Sequence, residues 1–291
     1  MDTREPTWHP NPGIPALALP PLACDAHVHV FGPLARFPFD AASAIRPGDA
    51  PREALFALHR RLGIGRCVIV QSLVHGFDNR VVEDAIAAGG GRYLGVALVP
   101  SDVPDAELAR LAAAGLRGVR FNFMSAEAVA RDAGPVLALT RRLAALDMHL
   151  QLQIEGPLIH SLARLIGESA VQVVIDHMGR VDAALGPGHA DFRALRSQLR
   201  AGRDRTWVKL SGIDRISKRA DYSDGIELAG LLAAEFPDQC VWGTDWPHPN
   251  HWHVPDDGAL VDALARIAPS ATLREQILVR NPADLYRFEP A

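Results

Sequence analysis

The 291-residue sequence predicts an α/β fold, a single (β/α)8 TIM barrel preceded by a proline-rich N-terminal arm. Three observations lead there. Eight short apolar runs alternate with stretches of helical periodicity from residue 22 onward. Several of those runs are continuously apolar, the pattern of strands covered on both faces. The glycine fingerprint that an open, doubly wound sheet carries after its first strand is absent. One barrel of this kind uses about 250 residues, and a chain of this size buries about three quarters of its unfolded surface, so one core suffices without disulfide or metal support.

The elements follow in order. Residues 1–21 include Pro6, Pro10, Pro12, Pro15, Pro20 and Pro21. Each proline fixes φ and removes a donor, so an extended arm is expected, laid on the domain surface or on a neighbouring subunit of a homodimer. The domain itself is expected over 22–291. Its strands are expected at 23–30, 67–71, 93–99, 118–123, 149–154, 171–176, 207–211 and 240–243. Between them, apolar residues at three-to-four spacing predict helices over 52–62, 105–114, 135–146, 159–166, 192–199 and 226–236. Gly63 and Gly115 stand where left-handed caps end the first two. Two more helical stretches, 257–267 and 273–279, follow the last strand.

Charge and cysteine usage narrow the partners. Thirty basic and 34 acidic residues give a formal charge of −4 with no long run of either sign, which argues against nucleic acid. No apolar run approaches the roughly 20 residues that span a bilayer, so no membrane partner is expected. Cys24, Cys67 and Cys240 are odd in number, lack CxxC spacing and begin apolar runs. They read as small buried residues in a protein of a reducing cytoplasm.

In an α/β barrel the C-terminal ends of the strands meet, and chemistry gathers there. Seven of the eight predicted strand ends carry polar groups. The first holds His27 and His29, which point the same way if the strand alternates. The second leads into Gln71, Ser72 and His75, and the fourth ends Arg120-Phe121-Asn122. The fifth carries Gln151, Gln153 and Glu155, and the sixth ends Asp176-His177. The seventh leads to Ser211 and Arg215, and the eighth to Thr244-Asp245-Trp246-Pro247-His248. His27, His29, His177 and Asp245 are the expected catalytic set. Arg120, Arg215, Gln71, His75, Asn122, Gln153 and His248 are expected to bind substrate. The same three histidines and aspartate would suit a single divalent metal such as zinc. A binuclear centre is not expected: no lysine ends strand four to become a bridging carbamate, and the strand-five position holds Gln153.

The stretches Asp25-Ala26-His27-Val28-His29-Val30-Phe31-Gly32, Gly118-Val119-Arg120-Phe121-Asn122, Val174-Ile175-Asp176-His177-Met178-Gly179 and Trp242-Gly243-Thr244-Asp245-Trp246-Pro247-His248-Pro249 resemble the amidohydrolase-related branch of the amidohydrolase superfamily. Within it the sequence is most similar to the 2-pyrone-4,6-dicarboxylate lactonase group, from about residue 23 to residue 287. That resemblance implies a small anionic lactone as substrate, a hydrolase that opens it without a metal or other cofactor, and a setting in aromatic-compound breakdown. It implies Asp245 as the base that activates water, His27, His29 and His177 around the scissile carbonyl, and Arg120 and Arg215 on a substrate carboxylate.

Three positions depart from that pattern. Ile45 and Gln153 stand where the group has tyrosines, and Met124-Ser125-Ala126 where it has a second arginine. A bidentate arginine is a poorly replaceable carboxylate anchor, so a lactone with one carboxylate, or with a smaller or neutral group in place of the other, is expected. The rival readings are a metal-dependent decarboxylase, a sugar-lactone hydrolase or isomerase, and a non-catalytic binding protein. The last would predict a gap in the polar set, and Asp245 is present.

Overall fold

The computed structural model describes residues 7–124, 132–251 and 253–289. Eight parallel strands follow one another in a single sheet in chain order. They are β1 Cys24–Val28, β2 Arg66–Val70, β3 Tyr93–Leu98, β4 Leu116–Asn122, β5 His149–Gln153, β6 Val173–Ile175, β7 Thr206–Lys209 and β8 Cys240–Val241. All eight predicted strands are present. β1, β6 and β8 are shorter than expected, β1 and β6 at both ends and β8 at its C-terminal end.

Past β8, the backbone turns its hydrogen bonds to the first strand. Ala26 N donates to Trp242 O at 2.8 Å, Asp245 N to His27 O at 2.8 Å and His29 N to Trp246 O at 2.7 Å. This seam brings the ends of the sheet together as a barrel.

The helices lie between the strands. Those of the first half are α1 Arg52–Leu62, α2 Arg80–Ala88, α3 Asp105–Ala113 and α4 Ala133–Ala144. The predicted helix 159–166 is instead two short pieces, α5 Leu158–Ser161 and α6 Ala163–Glu168, separated at Leu162 (φ −95°, ψ 5°). Then come α7 Ala190–Ala201, α8 Ile213–Ile216 and α9 Ser223–Glu235. The prediction over 257–267 also divides, into α10 Asp257–Asp262 and α11 Leu264–Ile267. The last stretch runs as α12 Ala271–Glu275, a wide π turn Gln276–Arg280 and α13 Asn281–Tyr286. Gly63 caps α1 in the left-handed conformation (φ 78°) as expected.

Two cores result. The larger joins the outer strand faces to the helices and includes Leu55, Val82, Leu108, Leu143 and Leu195. The smaller fills the barrel with Cys24, Ala26, Val68, Val70, Leu94, Val96, Val174, Trp207 and Val241, joined by Leu285, Tyr286 and Phe288 from the C-terminal segment. β1 changes face along its length. Its register shifts between Asp25 and Val28, so Ala26 faces inward below the shift and both histidines face the site above it. Strict alternation could not put Ala26 and His27 on one side.

The segment before β1 lies against its own barrel. Gly13 N donates to both oxygens of Asp256 (3.0 and 2.9 Å), Leu17 N to Asp262 Oδ1 (2.8 Å) and Arg61 Nε to Pro12 O (2.6 Å). Trp8 donates through Nε1 to Asp49 O at 3.1 Å and packs its ring 5.4 Å from that of Trp246. The three cysteines are buried and unpaired, and burial pushes their thiols up. Among the described residues no helix is long and apolar enough to cross a membrane.

Candidate active site

The site rests on a floor of charged and amide groups inside the barrel, directly above the apolar filling. Lys209, from the inward face of β7, is fully buried. Its Nζ donates to Ala26 O at 2.8 Å and Gln151 Oε1 at 2.9 Å, and lies 3.3 Å from His27 Nδ1. Asp176, at the end of β6, accepts on Oδ2 from Arg120 Nε (2.8 Å) and Gln151 Nε2 (3.1 Å). Its Oδ1 sits 3.2 Å from His27 Nδ1 and 3.6 Å from Lys209 Nζ. Burial alone would raise the Asp176 pKa, but His27, Arg120 and Lys209 outweigh it and hold the carboxyl well below its usual range. Burial draws Lys209 down to about 8 against the opposing pull of Asp176, which leaves it mainly an ammonium at neutral pH.

Above this floor stands Asp245, nearly fully buried. Arg215 Nε donates to its Oδ2. Its Oδ1 faces three imidazole Nε2 atoms, those of His29 at 3.5 Å, His27 at 3.6 Å and His177 at 3.8 Å. Burial opposes ionisation here too, but Arg215 and then His177 prevail and hold the carboxyl well below the usual carboxylate range. Burial lowers His27 to about 3, with Lys209 adding to the effect, and draws His177 well below its ordinary value. The site therefore holds an anionic carboxylate beside the neutral imidazoles of His27 and His177. His29 donates from Nδ1 to Val70 O (2.7 Å), and His177 Nδ1 meets Ser211 Oγ (2.9 Å).

Backbone strain helps to aim these groups. His177, Met178, Gly179 and Arg180 all have positive φ, between 47° and 66°, in a left-handed turn after β6. Each non-glycine residue there costs roughly 1–2 kcal/mol, a burden typical of positions held by function. Asp245 itself has φ 67°. The turn delivers His177 and Arg180 to the same cavity.

That cavity is lined by His29, Ile45, Ser72, Leu73, Arg120, Met124, Gln153, His177, Arg180, Arg215, Asp245, Pro249 and Asn250. Six of the residues expected from sequence thus form its wall: His29, Arg120, Gln153, His177, Arg215 and Asp245. His27 lies immediately beneath, against Asp245. Four others stand outside the wall and hold loops instead. Gln71 donates to Gly76 O (3.2 Å) and Asp78 O (2.7 Å), and His75 Nδ1 meets Pro38 O (3.0 Å). Asn122 accepts from Met124 N (2.8 Å), and His248 meets Asp257 Oδ1 (3.0 Å). Of the three departures, Ile45, Gln153 and Met124 line the cavity; Ser125 and Ala126 lie outside the described residues.

Sequence reasoning left Lys209 and Arg180 out of the site. Lysine within a strand usually marks a wet edge, and the signal that could have found this one is its spacing, two residues before Ser211 on the inward face. Arg180 was hidden by the left-handed turn, which no residue pattern announces when only one of four positions is glycine.

The donor atoms of His27, His177 and Asp245 lie within 4.8 Å of one another, near enough to share one ion. Arg215 holds the other oxygen of Asp245, and His27 Nδ1, which would carry a hydrogen if Nε2 were a ligand, faces both the Lys209 ammonium and the Asp176 carboxylate.

A parallel barrel whose first, sixth and eighth strands converge on two histidines, a third histidine and an aspartate defines an amidohydrolase. The chain belongs to that family, whose model, described as amidohydrolase, matches residues 24–288. Among curated relatives, a 2-pyrone-4,6-dicarboxylate hydrolase from Comamonas testosteroni is 40% identical, covering 96% of this chain and 94% of that protein. A 4-sulfomuconolactone hydrolase from Rhizobium radiobacter is 38% identical, covering 93% and 92%. A crystal structure from Pseudomonas putida, assigned as a 2-pyrone-4,6-dicarboxylic acid hydrolase, is similar with a TM-score of 0.82 and 32% identity, covering 94% of this chain and all of that one.

Proposed function

We propose that the protein is a lactone hydrolase that opens a carboxylated, pyrone- or muconolactone-like ring by attack of water on the ring ester carbonyl. The observation that carries this reading is the division of labour at Asp245: Oδ2 is held by Arg215 while Oδ1 faces three imidazoles. The names of the relatives, both hydrolases of cyclic esters, support the reaction class and a setting in the breakdown of aromatic compounds.

Ionised Asp245 takes a proton as water adds to the carbonyl carbon. Negative charge then develops on the carbonyl oxygen, where His27, with His177 beside it, stabilises the charge. Collapse breaks the ring carbon–oxygen bond, and the proton held by Asp245 passes to the leaving oxygen. The products are a carboxylic acid, which ionises with release of its proton to solvent, and an opened chain ending in hydroxyl or enol. Arg120, Arg180 and Arg215 bind the anionic group of the substrate and fix its approach. Ile45, Met124 and Gln153 in the wall favour a ring with one strong anionic substituent over one with two. A divalent ion on His27, His177 and Asp245 would supply Lewis-acid polarisation of the carbonyl, and the 4.8 Å spacing is the observation that favours that second reading.

The test is metal content of protein purified without added metal, with activity on carboxylated pyrones and muconolactones measured before and after chelation. Ring opening by metal-free protein is the expected result. A stoichiometric ion whose removal abolishes turnover would overturn the water-and-aspartate scheme, and no turnover of any such lactone would overturn the substrate class.

A further inference from the structure

His27 and His29 are two residues apart on one strand and both present Nε2 to Asp245, yet their other ring nitrogens have opposite partners. His29 Nδ1 meets a carbonyl oxygen, Val70 O at 2.7 Å. A carbonyl only accepts, so Nδ1 carries the hydrogen, and a neutral His29 presents a lone pair at Nε2. His27 Nδ1 meets Lys209 Nζ at 3.3 Å. An ammonium only donates. Two of its hydrogens go to Ala26 O and Gln151 Oε1 at 2.8 and 2.9 Å, and for the third His27 Nδ1 at 3.3 Å is nearer than Asp176 Oδ1 at 3.6 Å.

We infer that Lys209 is a positioning residue that fixes His27 as the Nε2–H tautomer, so that the two histidines serve the site as one donor and one acceptor. The competing partner is Asp176, whose Oδ1 lies 3.2 Å from the same Nδ1 and would favour a hydrogen there. That oxygen makes no assigned hydrogen bond to a described residue, while Oδ2 is engaged by Arg120 and Gln151. A ring that accepts from the ammonium at Nδ1 is neutral and carries its one hydrogen on Nε2. That hydrogen, on Nε2, is buried and has no hydrogen-bond acceptor among the described residues.

The consequence deepens the proposed reaction and, for its chemical role, rests on it. His27 donates to the carbonyl oxygen as charge develops there, while His29 accepts from the attacking water beside Asp245. The same hydrogen withholds the lone pair that an ion shared with His177 and Asp245 would need.

Histidine-selective 15N labelling of the full chain tests this, with signals assigned through His27→Gln and His29→Gln. At neutral pH the expected spectrum has His27 protonated on Nε2 and His29 on Nδ1. In Lys209→Met the His27 hydrogen is expected to move to Nδ1, facing Asp176, with kcat falling about 100-fold at little change in KM. Lys209→Arg, which keeps a donor, is expected to retain the wild-type tautomer. A wild-type His27 protonated on Nδ1, or a Lys209→Met protein that keeps the Nε2–H form, would overturn the inference. Should Lys209→Met fail to fold, the wild-type spectrum still decides. The expected spectrum from a protein that opens no lactone would sink the proposed reaction and leave the tautomer assignment standing.

Discussion

Arg215 holds one oxygen of Asp245 through its Nε and leaves the other turned to the imidazole cluster. The pairing does two things at once. It keeps the carboxyl ionised in a buried site and fixes which oxygen can take a proton, so the base has one working face.

Asp245→Asn is expected to lower kcat by about 10³- to 10⁴-fold while KM changes only a few-fold. The amide keeps the shape but cannot take a proton. Steady-state kinetics with a carboxylated lactone, and binding of the opened product by calorimetry, would check it. Near-normal turnover would remove Asp245 from the role of base.

The Arg180 side chain has no hydrogen bond or salt bridge to a described residue, and burial and the nearby Arg215 draw its pKa down against the pull of Asp245 and Glu155. A cation kept in this way costs stability unless a ligand neutralises it. Arg180→Gln is therefore expected to raise KM by about 10- to 100-fold and to leave Tm unchanged or higher. Calorimetric unfolding beside kinetics tells these apart; a fall in both Tm and kcat at constant KM would show that Arg180 serves the fold.

Acid stability should be governed by histidines before carboxylates. His27 and His149 titrate near 3 in the folded protein, and His177 well below its ordinary value, all because burial disfavours the charged ring. Between about pH 6.5 and 3 the unfolded chain binds protons at these positions that the folded chain does not, so stability falls as pH falls. Each group contributes a slope approaching about 1.4 kcal/mol per pH unit in that window. Asp176 and Asp245, with depressed folded values, add stability that is present above about pH 4 and lost below it. Denaturant midpoints at pH 7, 6 and 5 should decline steadily; a flat profile over that range would contradict the burial of neutral rings.

Trp8 packs on Trp246, the neighbour of Asp245. Trp8→Ala is expected to lower kcat several-fold and Tm by a few degrees, and Trp8→Phe to recover most of both. Loss of Tm alone would confine the contact to stability.

Most of this architecture was legible in the residues because both faces of each strand are covered, and apolar runs such as Val68–Val70 and Val173–Ile175 read as strands without context. The polar groups of the site were legible for the related reason that they interrupt such runs at one end. Other features depend on geometry that no local pattern carries. The break at Leu162 divides a helix whose periodicity runs straight through it. The inward face of Lys209 depends on the register of β7 against β6 and β8. Gln71, His75, Asn122 and His248 end strands or follow them as binding residues would, and only the positions of Gly76, Pro38, Met124 and Asp257 turn them away to hold loops.

The seam of the barrel is made by the same backbone that carries the chemistry, since Asp245 N bonds to His27 O and His29 N to Trp246 O. In a chain that has gathered its other staves but not yet joined the last to the first, the aspartate and the histidine pair stand apart. Completion of the fold and the birth of activity are then one event, and regain of turnover after dilution from denaturant reports the final joining of the ring.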